Sequence, residues 1–177
     1  MKPLRGRRSI RLKGYDYSQP GGYFVTICMK NQACVFGKIM DDEMVLNDLG
    51  RIARACWDEI PNHFDYVVLD AFVVMPNHVH GILMITDQNV GAMHASPLLR
   101  GRTCGPNPGS LGAIVGSFKS TVTRWFHQNG YPHFRWQRNY YDHIVRDENE
   151  LGRIREYVVN NPLEWDLDDE NPNVFKG

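Results

Sequence analysis

Residues 66–86 run Tyr66-Val67-Val68-Leu69-Asp70-Ala71-Phe72-Val73-Val74-Met75-Pro76-Asn77-His78-Val79-His80-Gly81-Ile82-Leu83-Met84-Ile85-Thr86. Pro76-Asn77 divides two apolar runs, both rich in β-branched and aromatic residues and both of strand length. This predicts adjacent strands over Tyr66–Met75 and His78–Thr86, joined by a tight turn at the centre of an antiparallel sheet. Upstream, Gly21-Gly22 opens a third strand, Tyr23 to Met29, and Ala33 to Ile39 predicts a short fourth. Helical patterns lie between and after the strands. Asn47 or Asp48 can cap a helix in which Leu49, Ile52, Ala53, Cys56, Trp57 and Ile60 recur at helical spacing, with Pro61 just beyond its end. Ser110 starts a second, striped by Ile114, Val115, Phe118, Val122, Trp125 and Phe126. Asp147, with Glu150 three residues on, starts a third, striped by Leu151, Ile154 and Val158 and stopped at Pro162. The order lacks the rhythm of a parallel βαβ sheet. The expected class is α+β, an antiparallel sheet with helices packed on one face.

The 177 residues suit one domain, 1–177, with a basic arm at 1–14 and an acidic tail at 163–177. No apolar run approaches the ~20 residues of a membrane helix, so no membrane partner is expected. The N-terminus is basic without the apolar centre of a secretory signal, which predicts a cytoplasmic protein. Cys28, Cys34, Cys56 and Cys104 form no CxxC pair and read as reduced, buried thiols.

Twenty basic and twenty acidic residues cancel, but they are unevenly placed. Residues 1–13 carry Lys2, Arg5, Arg7, Arg8, Arg11 and Lys13 and no acid. From Gln88 to Tyr141 there is again no acid, while Arg100, Arg102, Lys119, Arg124, Arg135 and Arg138 occur. Such tracts are either solvated surface or a positive face for a polyanion. Trp125, Phe126, Tyr131, Phe134, Trp136, Tyr140 and Tyr141, interleaved in the second tract, favour the latter, because bases stack on aromatic rings while arginine holds phosphate.

His78-Val79-His80 is the sharpest local signal. On a strand, residues i and i+2 leave the same face, so both imidazoles can reach one metal ion. Tyr157 and Asn161 stand four apart on one helical face. Alone they read as a boundary tyrosine and a helix C-cap; with the histidines they offer an amide-oxygen ligand and a nucleophile beside a divalent cation.

Four stretches, Met75-Pro76-Asn77-His78-Val79-His80, Ser117-Phe118-Lys119-Ser120, Trp136-Gln137-Arg138-Asn139-Tyr140-Tyr141-Asp142-His143 and Tyr157-Val158-Val159-Asn160-Asn161-Pro162, resemble in sequence and order the REP-associated tyrosine transposases, within the single-tyrosine HUH transposases. The resemblance runs from about Tyr15 to Trp165. It implies a ferredoxin-like α+β fold and metal-dependent cleavage and rejoining of single-stranded DNA near palindromic hairpins. It also implies His78 and His80 as metal ligands, Asn161 as the third, and Tyr157 as the nucleophile of a 5′-phosphotyrosine intermediate. Asn161 falls where insertion-sequence relatives carry Gln and the REP-associated branch carries Asn. The cofactor implied is Mg or Mn, although imidazole ordinarily prefers other first-row metals to magnesium. The partner implied is hairpin-bearing single-stranded DNA, met by a monomer or a homodimer.

Arg5, Arg7, Arg8, Arg11, Lys13, Lys119, Arg124, Arg135 and Arg138 are the residues expected on the DNA. Tyr140 and Tyr141 are rival nucleophiles, disfavoured because Ile144 and Val145, not amides, stand four residues on. His133 and His143 are expected to pack or to touch DNA. A hairpin-binding protein without turnover is the main alternative, and a hydrolase that uses water instead of Tyr157 is a third. Beyond Pro162, Glu164, Asp166, Asp168, Asp169 and Glu170 face one base, Lys176, with Trp165, Leu167, Val174 and Phe175 as apolar anchors. This tail either occupies the basic groove in place of DNA or is a solvated or docked end.

Overall fold

The two apolar runs become β4 (Val67–Val74) and β5 (His78–Ile85) in the computed structural model, which describes residues 12, 14–87 and 107–174. They pair antiparallel through Val74↔Val79, and the turn closes with Met75 N–H donating to the His78 carbonyl at 2.8 Å. β1 (Gly21–Cys28) lies on the other side of β5, and β6 (Tyr141–Val145) completes an antiparallel sheet ordered β4-β5-β1-β6. β5 is therefore central, as expected, but β4 is an edge strand. The reason is connectivity: β1 returns to pair with β5 across its full length, Gly21↔Ile85 to Cys28↔His78.

With α1 (Asp48–Asp58), the short α2 (Ile60–His63) and α3 (Leu111–Gln128), the chain follows the split βαββαβ plan of a ferredoxin-like fold. Asn47 caps α1 by accepting from Gly50 N–H, and Ser110 caps α3 by accepting from Ala113 N–H. Pro61 does not merely follow a helix; it sits in the first turn of α2, where its missing N–H costs nothing. The strand expected over Ala33–Ile39 starts later. It is β2 (Gly37–Met40), paired with β3 (Glu43–Leu46) in a separate hairpin. Asp41 and Asp42 turn that hairpin, both in the left-handed region (φ 51° and 62°), as a two-residue turn of this hand requires.

The sheet is covered on both faces, which corrects the expectation of helices on one. Tyr23, Val25, Ile27, Val79 and Leu83 pack with Trp57 of α1 and with Ile114, Phe118 and Val122 of α3. The alternate residues Phe24 and Ile82 pack instead with Leu151, Ile154 and Val158 of α4 (Glu148–Asn160). β1 and β5 are buried at almost every position, so each is covered on two sides. Each of the three α4 residues, once buried, contributes ~1.5–3 kcal/mol.

Two side-chain contacts fix how α4 lies. Asp147 caps it, accepting from Glu150 N–H at 2.8 Å. Arg155 reaches across to Asp70 at the β4 irregularity, with Nε donating at 2.9 Å and Nη2 at 2.6 Å. The Arg155 bond holds the Asp70 carboxyl below its ordinary pKa. Among the described residues Cys28 is buried, Cys56 is partly buried and Cys34 is exposed, so Cys34 departs from the buried thiol expected; Cys104 lies outside them. No helix among the described residues is long and apolar enough to cross a membrane.

Candidate metal and nucleophile site

His78 and His80 leave the α4 side of β5, as their i, i+2 spacing requires, and both are buried. Their Nε2 atoms stand 3.0 Å apart. Each Nδ1 is occupied on its far side: His78 Nδ1 lies 2.8 Å from Asn77 Oδ1, and His80 Nδ1 lies 2.8 Å from Thr26 Oγ1. Asn77 decides the tautomer of His78. Its Nδ2 donates to the carbonyls of Gln32 (3.2 Å) and Glu170 (2.7 Å), so its Oδ1 must accept. His78 Nδ1 therefore donates to Asn77 Oδ1, and its Nε2 is the ring nitrogen directed at His80. Burial, and then the neighbouring His78, hold His80 well below the ordinary imidazole pKa, against an opposing pull from Asp168. A neutral imidazole oriented by a polar partner is the form that ligates metals.

Tyr157, on α4, keeps 37% of its surface exposed and brings its phenol oxygen to 3.5 Å from His80 Nε2. Its ring meets His80 at 5.2 Å and Phe24 at 6.0 Å between centroids, both edge-on. Burial raises the Tyr157 pKa well above that of a free phenol, and the charge of Asp168 adds to this; a hydrogen bond from Asn161 works the other way. Asn161 caps α4 and is 2% exposed, and its Oδ1 is buried with no hydrogen-bond partner among the described residues. Leaving a buried amide oxygen unsatisfied costs ~1–3 kcal/mol. Two convergent imidazole nitrogens and the unsatisfied amide oxygen of Asn161, a residue that hydrogen-bonds Tyr157, are donors that suit a divalent cation. The four residues singled out from sequence thus meet at one end of the sheet.

The DNA residues fare unevenly. Lys119, Arg124, Arg135 and Arg138 line a single open groove with Phe134 and Trp136. It adjoins the same end of the sheet, since Gln137 N–H donates to Cys28 O and Lys30 N–H to Arg135 O, and Cys28 pairs with His78. Arg124, Arg135 and Arg138 are exposed. Lys119 is half-buried, with its ammonium given to the carbonyls of Gln137 (2.7 Å) and Arg138 (3.2 Å) and its pKa lowered by burial, so it shapes the groove more than it faces solvent. Phe126, Phe134 and Trp136 are not free platforms for bases: they pack against Phe36 in the main core. Of that aromatic set Tyr131 is the one counted among the exposed large hydrophobics. Tyr141 rests on Phe24 from β6, and His143 pairs with Glu150 at 2.9 Å. Arg5, Arg7, Arg8, Arg11 and Lys13 lie outside the described residues.

The acidic tail docks, and its contacts run to the histidines. Asp168 Oδ2 is 3.7 Å from His78 Nε2, the Trp165 ring lies 6.1 Å from that of His78, and Glu170 O is the acceptor for Asn77. Thr26 and Asp168 are the partners that sequence reasoning missed. Thr26 has a signal in hindsight, since it lies directly across from His80 in the β1–β5 register; Asp168 has none beyond being one acid among five.

No family model matches the chain. An uncharacterized protein of Haemophilus influenzae is 48% identical over 168 residues, covering 93% of each chain. A second protein of that organism, named "Putative REP-associated tyrosine transposase", is 19% identical over 158 residues, covering 84% of this chain and 73% of its own. The solved structure of a REP-associated tyrosine transposase bound to a REP hairpin superimposes with a TM-score of 0.58 at 14% identity, over 85% of this chain and 71% of that one. The resemblance carried by the four motifs is thus met by the backbone as well. This chain belongs to one family with the 48%-identical Haemophilus influenzae protein, and its fold is that of the REP-associated tyrosine transposases.

Proposed function

We propose that this protein is a single-strand DNA transposase that cleaves and rejoins hairpin-bearing DNA through Tyr157, with a divalent cation, Mg or Mn, held by His78, His80 and Asn161. The observation that carries the reading is the Tyr157 phenol oxygen 3.5 Å from His80 Nε2, itself 3.0 Å from His78 Nε2. A nucleophile and two ligand nitrogens share one small volume. The solved relative at TM-score 0.58 is described as bound to a REP hairpin, which supports the choice of DNA.

When bound, the cation polarises a phosphate oxygen and makes the phosphorus more open to attack. The chain supplies the rest. Phe24 and His80, stacked on each other, both meet the Tyr157 ring edge-on from the sheet and restrict its orientation. Tyr157 starts as a neutral phenol, because burial and Asp168 oppose its ionisation. It forms a bond to phosphorus as the P–O3′ bond breaks, leaving a 5′-phosphotyrosine and a free 3′-hydroxyl. That ester conserves the energy of the broken linkage, so a second hydroxyl can displace Tyr157 and reseal the strand.

The test is a labelled single-stranded hairpin incubated with the protein and Mn²⁺, then denatured. A protein–DNA adduct that disappears in Tyr157→Phe is expected. Binding without cleavage would favour a hairpin-binding protein, and cleavage surviving in Tyr157→Phe a hydrolase that uses water.

Binding itself should depend on the groove. Replacing Arg124, Arg135 and Arg138 together with alanine is expected to flatten log affinity against log salt by about 2 for single strands, at ~0.7 per phosphate contact. An unchanged slope in a salt titration would place the phosphates elsewhere.

A further inference from the structure

We propose that Asp168 is a further ligand of the divalent cation, so that the segment after α4 is part of the metal centre and not an appendage to it. This rests on the reading of His78 and His80 as cation ligands. One ligand atom each from His78, His80 and Asp168 lies within 4.8 Å of the others. Two ligands ~2.1 Å from one octahedral ion stand about 3 Å apart when adjacent and about 4.2 Å when opposite. The 3.0 Å between the imidazole nitrogens and the 3.7 Å from His78 Nε2 to Asp168 Oδ2 both fall in that range.

The carboxylate is built into place. Its side chain is 7% exposed, a depth at which a carboxylate is stabilised by ligating a cation. Glu170 N–H donates to Oδ1 at 2.6 Å, which leaves Oδ2 as the oxygen nearest the histidines. Asp168 N–H donates to Trp165 O at 3.1 Å and Asn171 Nδ2 to the same carbonyl at 3.0 Å, closing the segment on itself. Asn77 then joins segment and site: its Oδ1 accepts from His78 Nδ1–H while its Nδ2 donates to Glu170 O. One side chain thus orients an imidazole and anchors the backbone that carries the carboxylate. Two imidazoles and a carboxylate suit a first-row divalent ion better than imidazoles alone suit magnesium.

The test measures binding, not turnover. Mn²⁺ is titrated into the full chain, and the free ion is followed by its electron paramagnetic resonance signal. Asp168→Asn is expected to weaken binding at least tenfold, while Asp169→Asn, next door and exposed, leaves it unchanged. Asp168→Cys is expected to exchange Mn²⁺ affinity for Cd²⁺ affinity, with a thiolate-to-cadmium absorption band that only direct ligation produces. Equal Mn²⁺ affinity in Asp168→Asn and the unaltered chain, or no cadmium band in Asp168→Cys, overturns the role of Asp168 while leaving the histidines in place. Mn²⁺ binding that is absent from the unaltered chain, or that survives His80→Ala, overturns both readings together.

Discussion

His80→Ala is expected to abolish strand cleavage and Mn²⁺ binding while hairpin affinity stays close to that of the unaltered chain. The two effects separate because they rest on different surfaces. His80 is buried under Tyr157 and α4, whereas Arg124, Arg135 and Arg138 line an open groove on the strand ends and α3. In the proposed reading, phosphate contacts in that groove supply affinity and register, and the imidazole supplies neither. A graded series sharpens the expectation. Thr26→Val keeps the shape of the side chain and removes only the partner of His80 Nδ1. Losing such an outer partner costs ~10–100-fold in metal affinity or activity, and losing the ligand itself costs more. Raising Mn²⁺ should therefore restore cleavage in Thr26→Val and fail in His80→Ala. Gel-shift affinities and adduct yields, measured on variants that melt cooperatively, check both halves. Hairpin affinity falling in step with cleavage in His80→Ala would mean that the histidines touch DNA in their own right.

Much of this site was legible because its geometry is local. His78 and His80 obey a strand period of two and Tyr157 and Asn161 a helical step of four, and both patterns survive any packing of the elements that carry them. What was not legible depends on which elements meet. Asp168 is separated from His78 by 90 residues of chain, and only the fold says that it, and not Asp166 or Asp169, turns inward. The aromatic residues around Phe134 illustrate the reverse error. Their mixture with arginine looks like a base-stacking surface, yet Phe126, Phe134 and Trp136 pack into the core about Phe36, and it is the arginines that stand exposed along the groove. β6 escaped notice because Tyr141-Asp142-His143-Ile144-Val145 has no clean alternation; it becomes a strand by pairing with β1. The second helical face escaped for a related reason. A strand with apolar residues on both of its faces announces that it is buried, but not which elements bury it.

Gly81→Ala should be the most damaging small substitution in β5, although it adds a single methyl group. Gly81 turns toward the α1 side of the sheet, directly beneath Trp57. An added Cβ would meet the Trp57 ring, lying 2.6 Å from Cη2, and would stand 3.0 Å from Phe72 Cδ2. The indole cannot retreat. It is 1% exposed, stacked on Phe72 at 4.4 Å with planes 10° apart, and braced by the Phe118 ring at 5.3 Å. The strain must therefore pass into the β5 backbone or force the stack apart. Overpacking of this kind costs ~1–3 kcal/mol, and each kcal/mol lowers the melting temperature of a chain this long by about 2–4 °C. The function suffers beyond the stability, because the residue before Gly81 is His80 and the residue after it, Ile82, carries the α4 side core. A backbone displaced by a few tenths of an ångström shifts the His80 nitrogen relative to that of His78, and Mn²⁺ affinity should fall even at temperatures where the variant is folded. Trp57→Phe removes the part of the ring that the methyl meets, so the double variant should recover stability relative to the sum of the singles. A Gly81→Ala protein that melts within about a degree of the unaltered chain, a shift worth less than ~0.5 kcal/mol, would show that the Trp57–Phe72 stack yields, and that β5 is not held as rigidly against α1 as the packing implies.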